Sequence, residues 1–174
     1  MRTLAAVTLL GLTTSVALAA PRGGLGPYKI GMKPAEVEAV KDCTPYKPVA
    51  STGGLECPAF SVAGKKRNIS FVFDPGAGLK KIQVWFYEGK DAAAAETAVA
   101  ELIEYAKKQH GALESNSLPA GTAISAKALI AAAGKTGKAQ LKPTKDPGDS
   151  FVFASVAKHP DHGWYVFYYV QPPR

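Results

Sequence analysis

The sequence has few of the residues that metal and thiol chemistry require. Its 174 residues include two cysteines and three histidines. Two cysteines supply only half of the ligands of a structural zinc site. The chain has no Gly-x-Ser-x-Gly motif of a serine hydrolase, and residues 134–138, Gly-Lys-Thr-Gly-Lys, lack the spacing of a phosphate-binding loop. The sequence therefore favours a protein that is not an enzyme, with no cofactor and with neither catalytic nor metal-binding residues.

Long apolar runs are absent beyond the N-terminus. The run Leu4–Leu18 follows the basic start Met-Arg-Thr and ends in Ala-Leu-Ala, which is the pattern of a secretory signal. We predict a signal peptide over residues 1–19, cleaved after Ala19, and a periplasmic or secreted mature protein. An uncleaved anchor is the alternative, but a membrane span needs about 20 strongly apolar residues. We therefore expect no span in the mature protein.

Acidic residues are fewer than basic ones, 14 against 21, and the formal net charge is +7. A positive balance favours acidic partners or anionic surfaces. The basic residues are scattered or stand in short pairs such as Lys80-Lys81, without the basic helix or the interleaved aromatics of a nucleic-acid reader. We expect most of them to be solvated surface residues, and we expect no nucleic-acid partner.

The domain organisation follows from the distribution of glycine and proline. Residues 20–27 are rich in both and predict a flexible leader with little to bury. Residues 28–174 are long enough to form a core of their own and predict a single α+β domain. Residues 112–147 stay unassigned, because glycines and prolines surround their one helix-like stretch, Ser125–Ala133.

Hydrophobic periodicity predicts the elements of this domain in the order α-β-β-β-α, followed by a C-terminal β-hairpin. Alternation gives an antiparallel sheet with one apolar face, and a helix capped by Asp91 and basic at its end covers that face. The predicted elements are a short helix near Pro34, strands at 55–63, 67–73 and 82–86, a helix over 91–110, and strands at 151–158 and 164–171. The residues predicted to share the apolar face are Ile69, Phe71, Phe73, Ile82, Val84 and Phe86.

The two cysteines, Cys43 and Cys57, both lie in the predicted mature chain. Export to an oxidising compartment favours a disulfide between them, which would close a loop of about 15 residues and stabilise the fold by about 3 kcal/mol. Two reduced, buried thiols are the alternative.

The segment Ile30-Gly31-Met32-Lys33-Pro34-Ala35-Glu36-Val37, followed by Cys43, a loop and Cys57, resembles the helix start of two groups of proteins. These are the BamE/SmpA-type envelope proteins and the β-lactamase-inhibitory-protein repeats. The resemblance covers residues 28 to 88. It implies a helix packed on an antiparallel sheet, with Cys43 and Cys57 as the equivalent of the inhibitors' disulfide. It also implies that a concave sheet face grips a protein target.

The candidate partner-binding residues lie opposite the predicted apolar face. Alternation along the strand at 82–86 places Gln83, Trp85 and Tyr87 together, and Trp and Tyr dominate binding hot spots. The last strand adds either Tyr165, Phe167 and Tyr169 or Trp164 and Tyr168, depending on which side is open. We predict that Gln83, Trp85, Tyr87, Tyr165 and Tyr169 bind another protein or an envelope component. In the alternative arrangement, the C-terminal half folds over these aromatics and makes them core.

A histidine-rich turn supports a second hypothesis. His159, Asp161 and His162 carry plausible zinc or copper ligands, which would make the chain a small-ligand or metal-binding module. A site would need His110 to converge on them from the end of a helix. A hairpin turn formed by Pro160, Asp161 and Gly163 is the simpler interpretation of this stretch.

Overall fold

A computed structural model describes residues 23–145, 147–148 and 150–173. The predicted signal peptide and its cleavage site, and residues 20–22 of the predicted leader, lie outside the described residues. Within the described residues, no helix is both long and apolar enough to cross a membrane. The fold is α+β with an antiparallel sheet, as the sequence predicts.

The described chain begins with a small hairpin and a short helix. The strands β1 (Gly24–Leu25) and β2 (Tyr28–Lys29) pair with each other, and α1 spans Pro34–Glu38. The predicted loose leader therefore ends earlier than expected, because Leu25 is 8% exposed and Tyr28 is fully buried. Proline starts α1, and the Glu36 carboxylate accepts a hydrogen bond from the Lys33 backbone N–H at 2.6 Å.

Eight strands of the described residues form one sheet, in the order β3-β4-β5-β6-β10-β9-β8-β7, and each neighbouring pair is antiparallel. The four strands before the long helix are β3 (Lys47–Val49), β4 (Gly54–Val62), β5 (Lys65–Asp74) and β6 (Gly78–Gly89). The four after it are β7 (Leu113–Glu114), β8 (Lys138–Pro143), β9 (Phe151–His159) and β10 (Gly163–Gln171).

Two helices cover one face of this sheet. The long helix α2 spans Ala92–His110 and contacts β6, β9 and β10, and α3 spans Ala126–Thr136 and contacts β8 and β9. The Asp91 carboxylate accepts hydrogen bonds from the backbone N–H groups of residues 93 and 94, as its position before an alanine-rich run predicts. Ser125 caps α3 in the same way through the N–H of residue 128.

The predicted apolar face is the face that the helices cover. Ile69, Phe71, Ile82, Val84 and Phe86 are all buried, as the alternation predicts. Phe73 is only partly buried and lies near the end of β5, where the register with β6 shifts and sets it opposite Leu79.

The unassigned region 112–147 contains three regular elements, β7, α3 and β8. The helix-like stretch at Ser125–Ala133 is confirmed as the greater part of α3. The strand β8 was not predicted, because its alternation is short and follows directly on Gly137, which ends α3 with a positive φ. The short strand β3 was not predicted either, and it lies in the stretch between Cys43 and Cys57 that was described as a loop.

The disulfide between Cys43 and Cys57 is confirmed. Cys43 follows α1 and Cys57 lies in β4, and both side chains are buried, at 1% and 0% exposure. The bond therefore ties the N-terminal segment to the outer part of the sheet.

A buried ion pair joins α2 to the sheet. Arg67 on β5 is 8% exposed, and its guanidinium contacts the Glu101 carboxylate and donates to the Phe86 carbonyl at 2.8 Å. Lys65 also contacts Glu101, and the hydrogen bonds from Lys65 and Arg67 hold the pKa of Glu101 below its usual range. The pair fixes the middle of α2 over β5 and β6.

We predict that the double variant Cys43→Ala/Cys57→Ala loses about 3 kcal/mol of unfolding free energy, because its unfolded chain is no longer constrained by a closed loop. Urea unfolding of the oxidised chain and of the variant measures the difference. A reductant is the control, since it should destabilise the native chain and leave the variant unchanged. Equal midpoints for the oxidised chain and the variant would contradict the prediction.

We also predict that Glu101→Gln destabilises the fold by about 2 kcal/mol, because it leaves the buried Arg67 cation without its carboxylate. The matched control is Glu104→Gln on the same helix, whose exposed pair with Lys107 at 3.6 Å should contribute less than about 0.5 kcal/mol. Thermal and urea unfolding of both variants provide the test. If the two variants lost similar unfolding free energies, the Arg67–Glu101 contact would contribute no more to stability than the exposed pair does.

Candidate binding surface

A continuous cluster of six aromatic rings lies on the sheet face opposite the helices. The cluster spans three neighbouring strands, and each ring contacts at least one other ring of the set. We call this surface the aromatic face. Its members are Trp85 on β6, Phe151 and Phe153 on β9, and Tyr165, Phe167 and Tyr169 on β10.

Strand register brings these rings together. Trp85 pairs with Phe167, and Tyr169 lies between Gln83 on one side and Phe153 on the other. Directly paired residues project from the same face of a sheet, so alternate residues of three strands meet there. The ring centroids of Trp85 and Phe167 are 4.9 Å apart, and those of Phe153 and Tyr169 are 4.7 Å apart.

The helices contact the opposite face, which carries the alternate residues of β10. Tyr168 packs on Tyr105 of α2 at 5.2 Å, and Trp164 is 6% exposed. Of the two predicted sets of β10 aromatics, Tyr165, Phe167 and Tyr169 therefore lie on the face opposite the helices.

The alternative in which the C-terminal half folds over Trp85 does not hold. The strands β9 and β10 lie beside β6 in the same sheet and extend the face. The rings are nevertheless partly buried, because they cover one another, and Phe167 is only 9% exposed. Burial raises the pKa of Tyr169 to about 12.

Tyr87 does not lie on the aromatic face, in contrast to the prediction from strict alternation. The β6–β10 register shifts between Val166 and Phe167, so that Phe86 is an extra residue and Tyr87 pairs with the buried Val166. The Tyr87 hydroxyl accepts a hydrogen bond from the Asp91 backbone N–H at 3.1 Å, at the start of α2. A β-bulge thus turns Tyr87 to the helix side.

The same bulge places Glu88 on the aromatic face. Glu88 pairs with Tyr165, whose ring contacts Trp85 and Phe167. Without the extra residue, alternation would have directed Glu88 to the core side with Phe86. The exchange of Tyr87 for Glu88 gives one end of the face an exposed carboxylate.

Polar side chains border the rings on β5 and β6. The Trp85 indole N–H donates to the Ser70 hydroxyl at 3.1 Å, and Gln83 beside it is 8% exposed. Asn68 Oδ1 is buried and has no hydrogen-bond partner among the described residues, and the same is true of Ser155 Oγ, which lies opposite Phe167. An unpaired buried polar atom costs about 1–3 kcal/mol, and Arg67 Nε on the helix side is a third such atom among the described residues.

Lys81 lies at the other end of β6 on this face. Its ammonium group is 5.2 Å from the centroid of the Tyr169 ring. Burial, together with the neighbouring Lys80, lowers the pKa of Lys81. The aromatic face therefore has a cation at one end and, at Glu88, a carboxylate at the other.

Phe151 and Phe153 were not predicted to lie on this surface. Their signal was present, because Phe151, Phe153, Ser155 and Ala157 alternate along β9 as Tyr165, Phe167 and Tyr169 do along β10. Sequence alone did not show which side of β9 the helices cover, since its other side is apolar as well.

The predicted histidine turn forms, and its two imidazole rings lie 4.6 Å apart. The His159 ring nitrogen Nδ1 accepts hydrogen bonds from the backbone N–H groups of Asp161 and His162, at 3.2 and 3.4 Å. Within the described residues, no group of three or more His, Cys, Asp or Glu side chains is placed to hold a metal ion. His110 does not join the turn, because its Nε2 forms a hydrogen bond with the Tyr168 hydroxyl at 2.5 Å.

Comparison with known proteins gives no assignment: no protein-family model, no curated protein and no solved structure matches the chain. The resemblance of residues 28 to 88 to the envelope and inhibitor families stays a prediction. The Gly31-Met32 pair of that segment has a structural role here, because Gly31 N–H donates to the Leu79 carbonyl and Leu79 N–H to the Met32 carbonyl, both at 2.7 Å.

We predict that the chain loses stability as the pH falls below 6.5, the ordinary pKa of histidine. His110 is buried at the end of α2 against Tyr168, and this burial lowers its pKa. Below pH 6.5 the unfolded chain therefore binds a proton at this residue more readily than the folded chain does, which favours unfolding. Above pH 6.5 both states are neutral at this residue and the effect vanishes. Urea unfolding of the native chain and of His110→Gln between pH 5 and 8 measures it. If the variant lost unfolding free energy equally steeply as the pH falls, the effect would belong to groups other than His110.

Proposed function

We propose that this chain is an exported, non-enzymatic binding protein that contacts another protein of the envelope or the extracellular space through the aromatic face. The observation that carries the proposal is the unbroken cluster of six rings on the side of the sheet that the helices leave free. Aromatic residues are enriched at the centres of protein interfaces, where Trp and Tyr supply most of the binding free energy.

Two features of the face support a binding role over a purely structural one. Five of its six rings are only partly buried, so that apolar area is left for a partner to cover. The partly exposed side chains of Asn68 and Lys81 border the same cluster. Groups of this kind fix the orientation and the specificity of a partner that apolar contacts hold.

Export is part of the proposal. The run Leu4–Leu18 supports a cleaved signal, and the Cys43–Cys57 disulfide is compatible with an oxidising compartment. The positive net charge of +7 favours acidic partners.

The non-enzymatic part of the proposal rests on the sequence, in which no catalytic motif was recognised. A groove with a volume of about 750 Å³ lies beside α2. Its lining includes Glu101, Glu104 and Tyr105, and the Glu101 carboxylate is already engaged by Lys65 and Arg67. The alternative of a metal-binding module rests on the paired rings of His159 and His162. That pair has less support than the aromatic face, because among the described residues it has no third ligand.

We predict that Trp85→Ala and Tyr165→Asp each weaken partner binding at least about 30-fold, as expected for central hot-spot residues. The immobilised chain is used to capture proteins from an envelope extract of the source organism. A captured protein is then purified, and its affinity for the native chain and for the variants is measured by calorimetry.

Tyr105→Ala is the matched control, because it removes an aromatic ring from the helix side of the same domain. Circular dichroism and thermal unfolding establish that each variant is folded. Retained affinity in both aromatic-face variants, or equal loss in Tyr105→Ala, would exclude the aromatic face as the binding surface.

A further inference from the structure

The charges at the two ends of the aromatic face are self-complementary. Lys81 and Glu88 lie on the same strand and the same face, and because one of the residues between them forms the bulge they are about six strand steps, or about 20 Å, apart. The ion pairs of the described residues involve Lys65, Arg67, Lys107 and Lys142 as cations, and none includes Lys81 or Glu88. Between the two charges lie Gln83 and Trp85, with Phe167 and Tyr169 beside them.

A twofold axis parallel to the sheet and perpendicular to β6 would bring each charge over its opposite. Such a rotation reverses the strand direction, so Lys81 of one copy faces Glu88 of the other, and the reverse contact forms at the same time. Aligned sheets pack face to face about 10 Å apart at a shallow angle, which the long side chains of lysine and glutamate can span.

We propose that the aromatic face pairs with the aromatic face of a second copy of this chain, with reciprocal contacts between Lys81 and Glu88. The proposal rests on the proposed function, since it assigns a resting state to the same binding surface. The dimer covers the six rings and places a carboxylate of the second copy beside each Lys81. A heterologous partner gains access when the dimer dissociates.

The size of the surface sets the expected strength. Three strands at about 4.8 Å spacing and a length of about 20 Å give roughly 300 Å² in projection on each copy. This is well below the area of about 800 Å² that specific interfaces bury on each partner, and it corresponds to a weak, transient dimer. A heterologous partner has to displace the second copy before it can bind, and a weak dimer allows this.

Charge reversal with the purified, oxidised chain tests the arrangement. Sedimentation equilibrium over concentrations up to about 200 μM measures self-association in the range expected for a transient complex. We expect the native chain to dimerise. Lys81→Glu and Glu88→Lys should each weaken the dimer about tenfold or more, because each reversal turns two attractive contacts into two repulsive ones.

An equimolar mixture of the two reversed variants is the decisive measurement. In the proposed geometry their heterodimer contains only opposite charges at both contacts, so the mixture should associate as tightly as the native chain, whereas neither variant does so alone. Lys127→Glu and Glu96→Lys are matched controls, since both residues are exposed on the helices, and they should leave the dimer unchanged.

Each outcome separates this inference from the proposed function. A native chain that stays monomeric, or a mixture that does not recover, overturns the dimer, while loss of partner binding in Trp85→Ala would still support the binding role. If the dimer behaves as expected while the captured partners bind the aromatic-face variants as tightly as the native chain, that result supports the dimer and contradicts the proposed function.

Discussion

The pairing of β6 with β10 is the contact on which the whole domain depends. It runs from Gly89 opposite Trp164 to Ile82 opposite Val170, and it joins the strands that precede α2 to those that follow it. Without it the strands before and after α2 would form two separate four-stranded sheets. The close approach at its end requires glycine, because Gly163 has a φ of +90° and a side chain there would collide with the Gly89 carbonyl.

In the described part of the chain, this sheet has two faces but only one helical layer. The helices α2 and α3 use the face that carries Val84, Phe86 and Tyr168, and the Arg67–Glu101 pair holds α2 there. The strands β9 and β10 are apolar on both sides, so joining the sheet buries one set of side chains and leaves the other on the open side. The aromatic face is the direct consequence of that imbalance.

The bulge opposite Val166 and Phe167 shapes this face further. It directs Tyr87 to the N-terminus of α2, where its hydroxyl meets the Asp91 N–H, and it brings Glu88 to the open side. One extra residue in β6 therefore contributes to anchoring the helix and to the charge pattern of the proposed binding surface.

Much of the fold follows from local chemistry. The alternation of β5 and β6, the Asp91 cap of α2 and the C-terminal hairpin could all be predicted, because each depends on residues close in sequence. The pairing of Cys43 with Cys57 was predictable as well, since the chain has no other cysteine. The strands β3 and β8 were not, because short strands gain their stability from neighbours that are distant in sequence.

The candidate site could likewise be predicted only in part from the sequence. By itself the sequence determined that Gln83 and Trp85 share a face opposite Ile82 and Val84, because alternation is a property of the extended backbone. Only the tertiary structure decided that β9 and β10 extend that face and that the helices leave it open. It also decided that a bulge exchanges Tyr87 for Glu88, since a shift in register arises from the pairing of two strands and neither strand encodes it alone.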